Sequence, residues 1–170
     1  LKAHAHQAND ILTAIRIAKE FHVKLTLEHT TEGNLIVDEL VKAGYPCAVG
    51  PSLGHDTKFE LQNKTWTTPG VLAKAGCQVS IITDAPVTPQ KYLSLCAAMA
   101  VRAGMEPYEA LKAITINPAK HLGIEDRVGS LAVGKDADIL IFSGDPLDGI
   151  SLPDQVLIDG KLIENTSGQL

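Results

Sequence analysis

Two histidines one residue apart, His4 and His6, stand just ahead of a helical pattern at the amino terminus. On an extended strand such a pair points to one side, which is the simplest way to aim two imidazoles at one metal ion or one substrate. Two further strand-like runs end in comparable groups. VKLTLEHTT carries Glu28 and His29 at the end of its apolar part, and VSIITDAP closes on Asp84. Imidazoles and carboxylates at strand ends can bind metal or move protons near neutral pH. Each also has a plainer use: His29 can donate to a loop carbonyl, and Asp84 can cap the helix expected after Pro86.

The other polar candidates carry less. His55, Lys58 and Glu60 fall in a polar segment, SLGHDTKFELQNKTW, that reads as a loop able to contact a substrate or simply to face solvent. Glu28 points away from its neighbour His29 on a strand and is expected to be structural. His22, at a helix end, reads as surface, and His121, inside a helix, as structural. Cys47, Cys77 and Cys96 lie in apolar runs, which fits reduced core thiols rather than a nucleophile. There is no G-x-S-x-G elbow, no Gly-rich phosphate loop and no C-x-x-C pair.

Composition narrows the class. The chain has 170 residues, 45% hydrophobic and 21% charged, as expected of a globular domain with a small appendage. A net charge of −5 without any basic cluster argues against nucleic acid and anionic membranes as partners and leaves small molecules. Three widely spaced, unpaired cysteines fit a cytoplasmic setting. The first residue is Leu1, and the opening residues already read as the end of a strand, so the chain is expected to begin in mid-fold.

These groups need elements to hold them. NDILTAIRIAKEF repeats at helical spacing, with Ile11, Leu12, Ile15 and Ala18 on one face and Asn9 as N-cap. VKLTLEH is then a strand, GNLIVDELVKAG a helix stopped by Gly44, YPCAVGP a short strand, TPGVLAKAG a helix capped by Thr68, and CQVSIIT a strand. Alternating strands and helices of these lengths predict parallel βαβ units and an α/β fold. A long helix over TPQKYLSLCAAMAVRAG, a helix over PYEALKAIT and a restart at Asn117 and Pro118 follow. Beyond Gly123 the pattern changes to short β runs, ADILIF and QVLIDG, divided by Gly, Asp and Pro. A boundary is expected near Ile124, separating residues 1–123 from a small β unit over 124–170, where Asp136 and Asp138 read as turn and strand-start residues.

The strand ends HAH, LEH and TDAP in that order, followed by TINPAKHLGIEDRVGSLAVGKDADILIF and a final VLIDGKLI, resemble the carboxyl-terminal half of a metal-dependent amidohydrolase of the imidazolonepropionase and prolidase-like group. The G-S-L-x-x-G-K-x-A-D stretch is the most specific part. The resemblance implies strands five to eight of a (β/α)8 TIM barrel, plus part of a small composite β-sandwich. It implies a divalent metal, expected to be zinc, held by His4, His29 and Asp84, with Asp84 and His29 catalytic and His6, His55 and Lys58 facing a small-molecule substrate. It implies hydrolysis of a carbon–nitrogen bond in a cyclic or acyclic amide, with deamination of a cyclic amidine as an alternative on the same ligands. Strands one to four and their ligands lie outside the chain. The 170 residues alone are therefore expected to be an inactive half-barrel with at most weak metal binding, one that pairs with itself or with the missing amino-terminal half.

Overall fold

The computed structural model describes residues 1–54, 58–149 and 151–163. Four strands, β1 (Lys2–Ala5), β2 (Thr26–His29), β3 (Cys47–Val49) and β4 (Val79–Ile81), form one parallel sheet in the order of the sequence. The helices α1 (Ala8–Glu20), α2 (Val37–Ala43) and α3 (Thr68–Lys74) lie between them in the chain. Register pairs Leu27 with Cys47 and Cys47 with Val79, so these three side chains share one face. All are at most 1% exposed and pack with Ile11, Ile15, Leu40 and Leu72 of the covering helices. Leu12, expected on that buried face, is 37% exposed.

The opposite face is polar. It takes Lys2 beside Thr26 and His4 beside Glu28, alternating with the apolar set as a pleated strand requires. One sheet therefore has a dry face that supplies stability and a polar face on which chemistry can be mounted.

After β4 come α4 (Leu93–Arg102), α5 (Pro107–Ile114) and α6 (Ile116–Leu122). Ile81, Cys96, Ala97, Ala100, Met105, Ala110 and Ala113 make a second core with Leu147 from the last part of the chain. A separate antiparallel sheet closes the chain, with β5 (Ile139–Ile141), β6 (Gln155–Ile158) and β7 (Lys161–Leu162) in sequential order.

The G-S-L-x-x-G-K-x-A-D turn between α6 and β5 has a structural explanation. Gly129 has φ +88, and a Cβ there would lie 2.8 Å from the Ala119 Cβ and 2.9 Å from the Thr115 oxygen, so only glycine lets the turn lie against α6. Lys135 Nζ donates to Ser130 Oγ at 2.8 Å and to the carbonyl of Glu125. Asp136 pairs with Arg127 at 2.6 Å, and Asp138 accepts the Asp159 amide at 2.9 Å, in line with their expected structural roles.

Helix starts differ from expectation where a neighbour supplies the cap. α1 begins at Ala8 with Gln7 at the cap position and no cap from its own side chain. Asn9 is inside the helix, and the Ala8 amide is met by Glu32 Oε2 at 2.8 Å. Thr67, not Thr68, precedes α3, and buried Thr68 instead donates to the Thr31 carbonyl at 3.4 Å. Asn117 does not cap α6: its Nδ2 donates to the Val79 carbonyl at 2.8 Å, fastening α6 to β4. The long helix expected from Thr88 is a 3-10 turn over Gln90–Tyr92 followed by α4. Gly44 does end α2, at φ +71. His22 is exposed, and Cys47 and Cys96 are buried. Among the described residues no helix is long and apolar enough to cross a membrane.

Candidate metal centre

His4 projects from the polar face of β1, and His6 lies just past that strand's end, only 5% exposed. His29 is the last residue of β2. Simple alternation would send its ring to the side of Leu27, under the helices. Left-handed backbone at His29 (φ 73) and Thr30 (φ 43) breaks the alternation. The imidazole instead swings to the polar face, with Nε2 3.1 Å from His4 Nδ1. Such conformations cost about 1–3 kcal/mol in non-glycine residues and survive only where surrounding contacts impose them.

Those contacts are visible. The Thr30 amide donates to the Ala5 carbonyl at 3.1 Å and the Glu32 amide to the His6 carbonyl at 2.9 Å, extending β2 along β1 past the formal strand ends. His6 Nδ1 is 2.7 Å from Thr31 Oγ1, and His29 Nδ1 is 2.7 Å from the Gly50 carbonyl. Gly50 has φ +134, and a Cβ there would fall 2.2 Å from the Ile82 carbonyl oxygen. No other residue lets the end of β3 bring its carbonyl to His29 while passing so close to the chain beyond β4.

The three rings form a compact group. Centroids of His4 and His29 are 4.2 Å apart, His6 and His29 are stacked at 4.5 Å, and His4 and His6 meet edge-on at 4.9 Å. One ring nitrogen from each lies within 4.8 Å of the others. A carbonyl can only accept, so His29 Nδ1 donates to Gly50, and His29 Nε2 is the nitrogen that faces His4. Burial and the neighbouring His29 bring the His6 imidazolium down to about 4, against an opposing pull from Glu60. His6 is therefore neutral at pH 7, the form that binds a metal. Three converging imidazoles, two of them with the other ring nitrogen held by a hydroxyl or a carbonyl, fit a divalent-ion site.

The other expected site residues are not part of this three-ring group. Asp84 lies beyond β4, exposed and with φ 50, and is not one of the three-imidazole group. Nor does it cap the next helix, which starts only at Gln90; its carbonyl accepts the Val87 amide at 2.8 Å. Lys58 Nζ is 3.4 Å from Glu60 Oε1, and that same oxygen is 3.8 Å from His6 Nε2. His55 lies outside the described residues. Sequence reasoning missed Thr31, Glu32, Gly50 and Asn63; the hydroxyl pair after His29 and the Gly-Pro after β3 were the available signals.

Below the imidazoles, Glu28 Oε1 accepts from His121 Nε2 at 2.9 Å and from Thr26 Oγ1 at 2.7 Å, with Lys2 Nζ at 3.5 Å. Burial by itself would raise this carboxyl, but the hydrogen bonds from His121 and Thr26 outweigh it and hold the group at about 2. Glu28 and His121 are thus a fixed polar floor between β2 and α6.

Comparisons agree with this architecture. Residues 3–163 match the family model described as the amidohydrolase family. An imidazolonepropionase from Symbiobacterium thermophilum is 32% identical over 149 residues, 84% of this chain and 33% of its own length. Amidohydrolase tasK of Hapsidospora irregularis is 28% identical over 166 residues, 94% of this chain and 17% of its own. The crystal structure of an amidohydrolase from Thermotoga maritima MSB8 superposes with a TM-score of 0.90 at 45% identity, covering 96% of this chain and 43% of that one. A Xaa-Pro dipeptidase with bound methionine in its active site gives a TM-score of 0.74 at 26% identity, over 96% and 44%. The chain thus spans less than half the length of these relatives. From the strand-end histidines to the final β run, the chain belongs to the amidohydrolase family.

Proposed function

We propose that this chain supplies part of a metal-dependent hydrolase acting on carbon–nitrogen bonds of a small-molecule amide, cyclic or acyclic. The observation that carries this reading is the convergence of His4, His6 and His29 from two adjacent strand ends within 4.8 Å. Parallel strands in sequential order, with polar groups at their carboxyl ends, are how (β/α)8 barrels build active sites. We assign the chain to strands five to eight of such a barrel over residues 1–123, with 124–170 contributing to a small β-sandwich.

His4 and His29 would hold the ion, as expected, and we add His6, expected to face the substrate, in place of Asp84, because its ring nitrogen lies within 4.8 Å of theirs; imidazole ligands favour zinc. When bound, such an ion supplies hydroxide at neutral pH and polarises the scissile carbonyl. The chain's own groups do the rest. Gly50 fixes the tautomer of His29, Thr31 orients His6, and burial keeps His6 uncharged. Asp84, exposed beyond β4, accepts a proton and returns it to the leaving nitrogen, a role typically worth about 10² to 10⁴ in rate. We also assign substrate contact to His55, and place Lys58, paired with Glu60 at 3.4 Å, at the edge of the substrate position. Unpaired thiols fit a reducing, cytoplasmic compartment.

For the isolated chain we infer metal binding without turnover, because the three imidazoles come from β1, the residue after it and the end of β2, and the parallel sheet has four strands among the described residues. Zinc titration by calorimetry, together with assays for released amine and released ammonia, tests the whole reading. One zinc per chain, lost in His29→Ala, supports it. Absence of zinc binding refutes it, and turnover by the 170 residues alone refutes the inactive state. Ammonia as the product in the completed enzyme moves the chemistry to amidine deamination.

A further inference from the structure

We propose that Glu60 recognises a cationic nitrogen of the substrate, and that Glu32 and Asn63 are positioning residues that hold it at the imidazole group. This rests on taking His4, His6 and His29 as the reaction centre. Glu60 lies on a 3-10 turn, Phe59–Leu61, in the segment between β3 and α3. Its Oε1 is 3.8 Å from His6 Nε2, so a carboxylate faces the site from outside the sheet.

The turn is tethered to the site. Asn63 Nδ2 donates to Glu32 Oε1 at 2.7 Å, and Glu32 Oε2 accepts the Ala8 amide at 2.8 Å. Glu32 is only 7% exposed, and its own amide is bonded to the His6 carbonyl at 2.9 Å. A buried carboxylate is unfavourable unless both oxygens are satisfied, and here each oxygen is, by two different parts of the chain. The loop carrying Glu60 and the β1–α1 junction carrying His6 are thereby fixed to one side chain.

Lys58 indicates what Glu60 is for. Its ammonium lies 3.4 Å from the same Oε1 that faces His6, while the Lys58 side chain is 62% exposed. An ion pair that open to solvent is weak, so an incoming ammonium displaces it at little cost. The lysine occupies the place of the ligand's cation in the free protein. The substrate class that fits is an amide bearing a free amino group close to the scissile bond, with the ammonium on Glu60 and the carbonyl toward the imidazoles.

The test compares two probes on the full 170-residue chain without metal, read by NMR shifts of His6: L-leucinamide, which carries an ammonium, and N-acetyl-L-leucinamide, which has the same amide without charge. Leucinamide should bind about tenfold more tightly, the difference expected of one charge-assisted hydrogen bond. Glu60→Gln should erase the preference and Glu60→Asp should restore part of it. Asn63→Ala should reduce it with the fold intact by circular dichroism. Lys58→Met should raise leucinamide affinity several-fold, because the internal competitor is gone. Equal binding of both probes, no saturable leucinamide shift, or a preference that survives in Glu60→Gln overturns the inference. Zinc titration of the same variants separates the two readings: zinc bound without ammonium preference sinks the Glu60 assignment alone, and no zinc bound sinks the reaction centre.

Discussion

His29 shows how much a single residue carries. Its backbone is left-handed at φ 73, a region that disfavours a Cβ. Glycine should therefore outrank alanine here, the reverse of the usual order inside a strand: His29→Gly is expected to be about 1 kcal/mol more stable than His29→Ala in urea unfolding. Removing His4, His6 or His29 should each weaken zinc binding more than about 100-fold by calorimetry, since even groups that only orient ligands typically cost about 10- to 100-fold. Cys47 makes a contrasting case. Burial, with Cys77 nearby, pushes its thiol up to about 12 from an ordinary 9.0. The neutral thiol thus favours the fold fully below pH 9, and that contribution is lost as pH rises toward 12. Iodoacetamide at pH 8.5 should leave Cys47 unmodified in the native chain and label it promptly in urea, as peptide mass spectrometry can check.

Among the elements, Gly50 links a strand end to chemistry. A Cβ at that position would meet the Ile82 oxygen at 2.2 Å, so Gly50→Ala must push β3 and the chain beyond β4 apart and withdraw the carbonyl from His29. We expect a loss of about 2–4 kcal/mol in stability and weakened zinc binding, measured on the same sample. His121→Ala, which strips Glu28 of its shortest contact outside β2, should cost about 1–3 kcal/mol in unfolding free energy. These elements also show how far sequence patterns reach. Strand and helix order was legible because apolar spacing is local, and the strand-end histidines were legible because polar groups interrupt apolar runs. Asn9, Thr68 and Asn117 were misassigned as caps because their partners lie far away in sequence, at Glu32 for the α1 start, at Thr31 for Thr68 and at Val79 for Asn117. Likewise, His6 reads from spacing alone as a companion of His4, while its place in the group depends on Thr31 and on the turned backbone of His29.

At the level of the whole molecule, the sheet order leaves β1 and β4 each with one flank not paired to another strand among the described residues. Leu140, Ile141, Ile158 and Leu162 of the small sheet are 44% to 58% exposed. Open edges and apolar surface of this kind favour pairing, so light scattering should report species larger than the monomer at high concentration. A stable monomer there would count against association. Communication across the molecule has its own signature. Because one carboxylate receives both the first amide of α1 and the side chain of Asn63, the start of that helix and the loop over the site share a fastening. Loosening the loop should then be audible at a distance: in Asn63→Ala the Ala8 amide should exchange with deuterium faster while the amide of Ile15, deep in the same helix, keeps its rate. A backbone proton on an ordinary-looking helix becomes a reporter for whether the loop is docked.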